Sequence, residues 1–347
     1  MKIAIHNHGG KFQERWVSYC QRNNVPFKLV NCYEHNIIDQ LIGCDGLMWH
    51  LNHNDYKDVG FAKQLINSLK YTQVKTYPNW NTVWHFDDKV GQKYLFDALG
   101  IPHAQSYVFY SKQEVLSWLR QVDFPIVFKL SGGAGSMNVH LVNNLPQAQK
   151  IVKRAFGRGF SAIDSFHSVK QQLWLLKSQY SPTVVKGLVR SLYRLAFKTN
   201  ESQMMPRHMG YVLFQEFIKA NEFDDRVVVI GEKAVAIRRY VRDNDFRASG
   251  SGLIDIDHNL FDINVIKLAF NITNSIGAQV LAFDFVYDDK KQPTLIEICY
   301  AFSMGYPYDD ISGYWDSSLI WHEGKIDLQQ FMIEDFIAEL ALERSSE

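Results

Sequence analysis

"FPIVFKLSGGAGSMNV", residues 124–139, passes from an apolar, β-branched run through one lysine into a glycine-rich turn. A strand that ends on a single cation, followed by residues with little or no side chain, sets bare backbone N–H groups beside positive charge. Such backbone lets another group approach closely. Two phosphate-loop patterns do not apply: no Gly-Lys-Ser/Thr follows the glycines, and no GxGxxG opens a helix near the chain start. Taken alone, the segment reads equally as a β-hairpin with a permissive turn leading into "NVHLV". The rest of the chain has to decide.

Upstream, short strands and helices alternate. "KIAIHN", "FKLVNC" and "GLMWHL" read as strands, with "FQERWVSYCQRN" and "EHNIIDQLIG" as helices between them, which predicts a parallel, doubly wound unit. His6 and His8 follow the first strand, and His50 and His53 follow the third. They read as polar lining of a ligand crevice or as surface positions rather than as a zinc site. In "DDKVGQKYLFDALGIP", Asp87 caps a helix that stops at Gly100. Strands then flank the helix "KQEVLSWLRQV", and residues 145–210 break the rhythm as a helical insertion. "YVLFQEFI", "RVVVIG", "KAVAIRRYV", "LAFDFVYD" and "TLIEICYAF" read as strands, with the helix "NVIKLAFNITNSIG" among them and a final helix from Leu328.

The chain of 347 residues, 46% hydrophobic and 14% aromatic, is long enough for two or three packed units. The amino terminus turns polar after five residues and carries no secretory core. No apolar run approaches the roughly 20 residues of a membrane span. Cys20, Cys32, Cys44 and Cys299 form no CxxC pair, so reduced thiols and a cytoplasmic location are expected. Net charge is zero but uneven. Residues 150–207 hold eleven Lys/Arg against two acids, a local charge of +9 that the remainder balances. Within them, "VVKGLVRSLYRLAFK" repeats Lys186, Arg190, Arg194 and Lys198 every four residues, opposite an expected buried stripe of Val185, Leu188, Leu192 and Leu195. This is a solvated face or a dock for a diphosphate-linked sugar, an acidic polymer or an anionic membrane. No nucleic-acid motif accompanies it.

Asp284 ends one apolar strand run and Glu297 the next, across the turn "DDKKQP". On adjacent antiparallel strands the two carboxylates share a face and suit a hard divalent cation. The alternative is a pair of solvated hairpin acids. "FDDRVVVIGEKAVAIRRYVRDNDFRASGSG", residues 223–252, adds Arg226, Arg238, Arg239, Arg242 and Arg247, fixed clamps for phosphate and carboxylate groups.

In order and spacing these segments resemble the ATP-grasp superfamily of carboxylate–amine/thiol ligases over nearly the whole chain apart from residues 145–210. The resemblance implies a mixed α/β and α+β protein. Its parts are an N-terminal Rossmann-like domain at 1–88, a central lobe at 89–144, the basic helical insertion at 145–210 and a C-terminal lobe with the metal site at 211–347. It implies ATP and Mg²⁺ as cofactors. Lys89 and Lys129 resemble the lysines on the ATP phosphates, and Ser131, Gly132, Gly133, Gly135 and Ser136 the loop closing over them. Gln215, Glu216, Phe217 and Ile218 resemble the adenine-binding hinge, and Glu222 the ribose acid. Arg226, with Arg238 or Arg239, and Arg247 resemble the phosphate and acyl-phosphate clamps, and Asp284 and Glu297 the magnesium ligands.

Two positions depart from the pattern: Ser249 stands where the family usually has Asn, and "EICY" puts Cys299 where Glu-x-Asn is usual. Thiolate is a poor ligand for Mg²⁺. The activity implied is an ADP-forming amide ligation of a small-molecule carboxylate and an amine through an acyl phosphate, with a homodimer as the expected assembly. "DNDFRASGSG" and "GYWDSSLIWHEGKIDLQQFMIEDFI" look most like bacterial ATP-grasp proteins encoded with surface-polysaccharide genes, which points to a carboxylated sugar or an amino acid. A kinase acting on a polyol or sugar, or a non-catalytic nucleotide binder, are the competing expectations.

Overall fold

The first residues fold as their alternation predicts. Ile3–His6 (β1), Phe27–Val30 (β2), Gly46–Met48 (β3) and Lys75–Tyr77 (β4) form a parallel sheet in the order β2-β1-β3-β4. Ile3–Ile5 of β1 are apolar without alternation because both faces of the strand are covered. The closing helix Leu328–Arg344 sits so close to β3 that a Cβ at Gly46 would come within 2.5 Å of the Phe336 ring. This computed structural model describes residues 1–347 apart from 8, 10, 54, 134–137, 163–168, 170–171, 174–175, 177–181, 197–203, 220, 243–244 and 346–347.

The chain packs as two units. The first joins Met1–Phe86, Phe96–His103 and Ala220–Glu347. Besides the parallel sheet it holds a seven-stranded sheet, antiparallel in every pairing. Its order is β13 (Pro293–Cys299), β12 (Val280–Tyr287), β9 (Phe223–Ile230), β10 (Lys233–Tyr240), β14 (Gly313–Asp316), β15 (Trp321–Glu323), with β11 (Ile254–Asp255) on β10. One face of this sheet carries Val228, Ile230, Val235, Ile237, Val280 and Ala282 into a core shared with Trp16, Trp49, Phe86 and Phe336. The helix Ile263–Ile276 packs on β9 and β12. It is capped by Asp262, which accepts from the Asn264 N–H, and stopped by Gly277 at φ +69°.

The second unit is Asp87–Leu95 with Ala104–Lys219. Its four strands are antiparallel in the order β5 (Ser106–Phe109), β8 (Val212–Glu216), β6 (Ile126–Lys129), β7 (His140–Val142). Side chains alternate across a strand. Ile126, Phe128, Val212 and Phe214 therefore face a core that includes Val115, Ala148 and Val152 of the helices Lys112–Trp118 and Leu145–Ala155. The helix Leu145–Ala155, read from sequence as part of the insertion, thus belongs to the layer covering this sheet. The following excursion is closed at its base by Phe160 and His208, which exchange backbone hydrogen bonds of 2.9 and 3.0 Å.

Candidate active site

In the second unit, strand alternation turns Lys129 and Gln215 to the sheet face opposite the helical core. Both are buried. Gln215 donates to Ser106 Oγ at 3.0 Å, its cross-strand partner on β5. Glu216 at the end of β8 is exposed, and Phe217 and Ile218 beyond it are half-buried. Lys89 opens the helix Lys89–Leu99, and its ammonium donates to Gly133 O at 2.8 Å.

The start of the glycine segment is tied down on several sides. The Ser131 carbonyl accepts from the Lys89 N–H at 2.8 Å. Ser131 Oγ donates to Asp88 at 2.6 Å, and the Gly133 N–H donates to Asp87 at 2.8 Å. Gly133 has φ +115°, and a Cβ at Gly132 would come within 2.8 Å of the Asp87 carboxylate. The Ser131 N–H donates to Tyr211 Oη, which is 2.8 Å from His208 Nδ1. Burial pushes the Tyr211 phenol up to about 12 and holds His208 below its usual range. Both are neutral near pH 7, so Tyr211 donates to His208 while accepting from Ser131. Gly135 and Ser136 lie outside the described residues.

In the first unit, register sorts the arginines. Arg226 on β9 faces Asp284 on β12, and Asp284 faces Glu297 on β13. These three stand in a row across one sheet face. Arg226 grips Asp284 with two bonds of 2.6 and 2.8 Å, and Arg239 grips Asp224 with two of 2.6 and 2.7 Å. Arg239 also reaches Asp284 at 2.9 Å. The result is a buried ladder Asp224–Arg239–Asp284–Arg226 with balanced formal charge. Burial alone would raise the Asp284 carboxyl, but Arg226 and Arg239 outweigh it and hold the group well below the ordinary carboxylate range. Asp224 goes the other way, because its burial outweighs Arg239. Tyr308 is a further side-chain partner of Arg226.

Arg238, the sequence alternative to Arg239, points to the reverse face. There it grips Asp225 at 2.8 and 2.9 Å and lies 3.7 Å over the Phe223 ring, while Tyr287 donates to the same carboxylate. Adjacent residues on a strand cannot share a face, so one of the pair had to leave. Arg247 pairs with Asp245 at 2.7 Å. Arg242 donates to the Ser249 and Gly250 carbonyls and so braces the turn that carries the first departure from the family pattern. Glu222 is exposed, and its carbonyl accepts from the Val241 N–H.

Cys299, the second departure, is buried. Its thiol lies 3.0 Å from Ala301 O and 3.1 Å from His53 Nε2. The described histidines of the first sheet do different jobs. His6 Nδ1 accepts from the Cys32 N–H at 3.0 Å. His50 stacks on Phe12 and is pushed down to about 3 by burial. His53 meets Cys299. His8 lies outside the described residues. Asp87, read from sequence as the helix cap, accepts from Gly133 instead, and Asp88 caps the helix by accepting from the Gly91 N–H at 3.0 Å. Asp88, Tyr211, Asp224 and Tyr308 were missed from sequence, and only the doubled acids "DD" beside Lys89 and Arg226 hinted at the aspartates.

A RimK-like ATP-grasp domain model matches residues 165–304. That stretch contains the ladder, Glu222, Gln215–Ile218, Glu297 and Cys299 but not Lys89 or Lys129. The structure resembles the biotin carboxylase domain of Hydrogenobacter thermophilus 2-oxoglutarate carboxylase, solved with MgADP, ADP and bicarbonate, at TM-score 0.57 and 13% identity, over 96% of this chain and 68% of that one. The chain has an ATP-grasp fold. D-alanine–D-alanine ligase of Bacillus anthracis aligns at TM-score 0.52 and 14% identity over 88% of each chain. A RimK-domain ATP-grasp protein of Sphaerobacter thermophilus aligns at TM-score 0.52 and 12% identity over 88% of this chain and 92% of that one. A comparison with curated proteins returns no significant match.

An ATP-grasp fold implies magnesium, and the donors present can be tested against it. Mg²⁺ demands hard oxygen ligands in octahedral geometry. Asp284 and Glu297, directly opposed on neighbouring strands, supply hard carboxylates on one face and fit one such ion, which would share the Asp284 oxygens with Arg226 and Arg239. Cys299 does not fit: its sulfur is soft and its hydrogen bonds are already directed to His53 and Ala301. Among the described residues, no three His, Cys, Asp or Glu side chains stand together as a preformed metal cluster.

Proposed function

We infer that the protein is an ATP-dependent, ADP-forming carboxylate–amine ligase. The observation that carries this is the Arg226–Asp284–Arg239 ladder, opposed to Glu297 on one face of an ATP-grasp sheet. A carboxylate is a poor electrophile, and transfer of the γ-phosphoryl group converts it to an acyl phosphate that an amine displaces. Lys89 and Lys129 receive the polyphosphate, where positioning and charge neutralisation dominate; the Ser131 and Gly133 amides would join them only by leaving Tyr211 and Asp87. Arg226 and Arg239, preset by aspartates, offer planar guanidinium donors to the transferring phosphoryl group and the carboxylate oxyanion. Asp284 and Glu297 would hold magnesium, which when bound supplies the remaining positive charge on the phosphates. The ends of strands β8 and β9, at Gln215–Ile218 and Glu222, are assigned to the adenosine.

The substrate class assigned is a carboxylated sugar or amino acid of surface-polysaccharide synthesis. The likeness of residues 243–252 and 313–337 to such proteins supports it. A screen of sugar acids and amino acids against ammonia and amines, with ATP and magnesium, tests the function. A ligase releases ADP and inorganic phosphate with an amide product. ADP with a phosphorylated alcohol and no free phosphate replaces the reading with a kinase. Thermal stabilisation by ATP without any turnover replaces it with a nucleotide binder.

A further inference from the structure

The basic segment of the second unit folds with a polarity the sequence pattern does not anticipate. In the helix Pro182–Ala196 the inward side carries Ser191, which is 8% exposed, Gly187, where a Cβ would come within 2.5 Å of the Gln172 side chain, and the half-buried Val184 and Leu188. Leu192, expected to be buried, is 48% exposed; Val189 is 62% and Tyr193 61% exposed. Residues three and four apart share a helix face, so these three form one outward apolar strip. Lys186 and Arg190, both exposed and four apart, run alongside it. Arg194, Leu195 and Lys198 lack described side chains and add nothing here. A helix that covers Val184 and Leu188 yet leaves Val189 and Leu192 outward has water as an unfavourable neighbour on that second apolar strip.

We propose that this helix docks on an anionic lipid bilayer surface, with Val189, Leu192 and Tyr193 at the acyl boundary and Lys186 and Arg190 among the headgroups. Apolar residues flanked by bases are what the interface between acyl chains and negative headgroups accommodates. The charge selects this occupant. Lys186 and Arg190 are the described charges beside the strip, and residues 182–196 contain no acid, so apposing the same face of a second copy would set like charges together. No described helix is long and apolar enough to cross a membrane, and docking in the interfacial plane requires none.

The test is co-sedimentation of the full chain with vesicles of phosphatidylcholine alone or mixed equally with phosphatidylglycerol. The wild type is expected to pellet with the anionic vesicles and to be released by salt. Lys186→Glu/Arg190→Glu removes two headgroup contacts at about fivefold each and weakens binding by about 25-fold or more. Val189→Glu/Leu192→Glu abolishes it. All four side chains are exposed, so unchanged thermal unfolding shows that the variants are folded. Failure to pellet with anionic vesicles overturns the proposal, as does binding that neither double variant reduces. An oligomer in lipid-free buffer that Val189→Glu/Leu192→Glu dissolves would assign the strip to a second copy instead. None of these readouts depends on nucleotide turnover.

Discussion

Asp284→Asn separates two roles that meet in one carboxylate. Asp284 is 6% exposed and takes three bonds from Arg226 and Arg239. The amide keeps the shape, removes the charge and aims an NH₂ at a guanidinium. Breaking a buried ion pair on one side costs about 3–5 kcal/mol. Arg239 keeps Asp224, which places the loss near the lower end, about 3 kcal/mol. For a unit of this size that lowers Tm by roughly 6–12 °C. Glu297 is only half-buried, so Glu297→Gln is expected to shift stability by no more than about 0.5 kcal/mol while abolishing ADP release.

The pH dependence gives a second handle. The Asp284 pKa is depressed in the fold, so its stabilisation is complete above the unfolded value near 3.9 and is lost as pH falls through the lower folded value. The gap between wild type and Asp284→Asn should therefore hold from pH 7 to about 5 and close below about 4. Asp224 shares Arg239 with Asp284, so the substitution also shifts Asp224 and the difference reads the ladder as a unit. Differential scanning fluorimetry across this range, without nucleotide, measures it. An Asp284→Asn protein as stable as wild type at pH 7 would refute the ladder, and a gap that widens in acid would refute the sign.

Lys129→Ala should weaken ATP binding by roughly 10- to 150-fold, the value of one charge-assisted hydrogen bond, as read by calorimetry with a non-hydrolysable analogue; an unchanged Kd would remove it from the phosphate site. Arg238→Met should lower Tm yet leave the KM for ATP unaltered, whereas Arg239→Met should suppress kcat; equal kinetic damage from both would mean that the two faces of β10 are wrongly assigned. Cys299→Asn should lower the magnesium concentration needed for half-maximal ADP release, since an amide oxygen replaces a soft donor. A higher requirement would show that the thiol belongs to the working site.

The alternating elements at the chain start, the strand ending at Lys129 and the hairpin joining Asp284 to Glu297 were all legible in the sequence. Each rests on the two-residue period of a strand or on local turn chemistry, which neighbouring residues set. Residue type alone left Arg238 and Arg239 equivalent. Antiparallel register put Asp224 opposite one and Asp225 opposite the other, and so chose. The pairing of Cys299 with His53 joins positions far apart in the chain and had no local signal.

Spacing in residues 184–198 marked a basic, amphipathic helix but not which side turns inward. Helical periodicity fixes which side chains share a face and says nothing about what covers that face. Here Gln172 stands over Gly187, Leu188 and Ser191 turn inward, and Val189 and Leu192 are left outside. Sequence by itself determined the elements and the chemical types they carry. Only the tertiary structure decided which charges meet and which apolar groups stay in water, because those depend on partners distant along the chain.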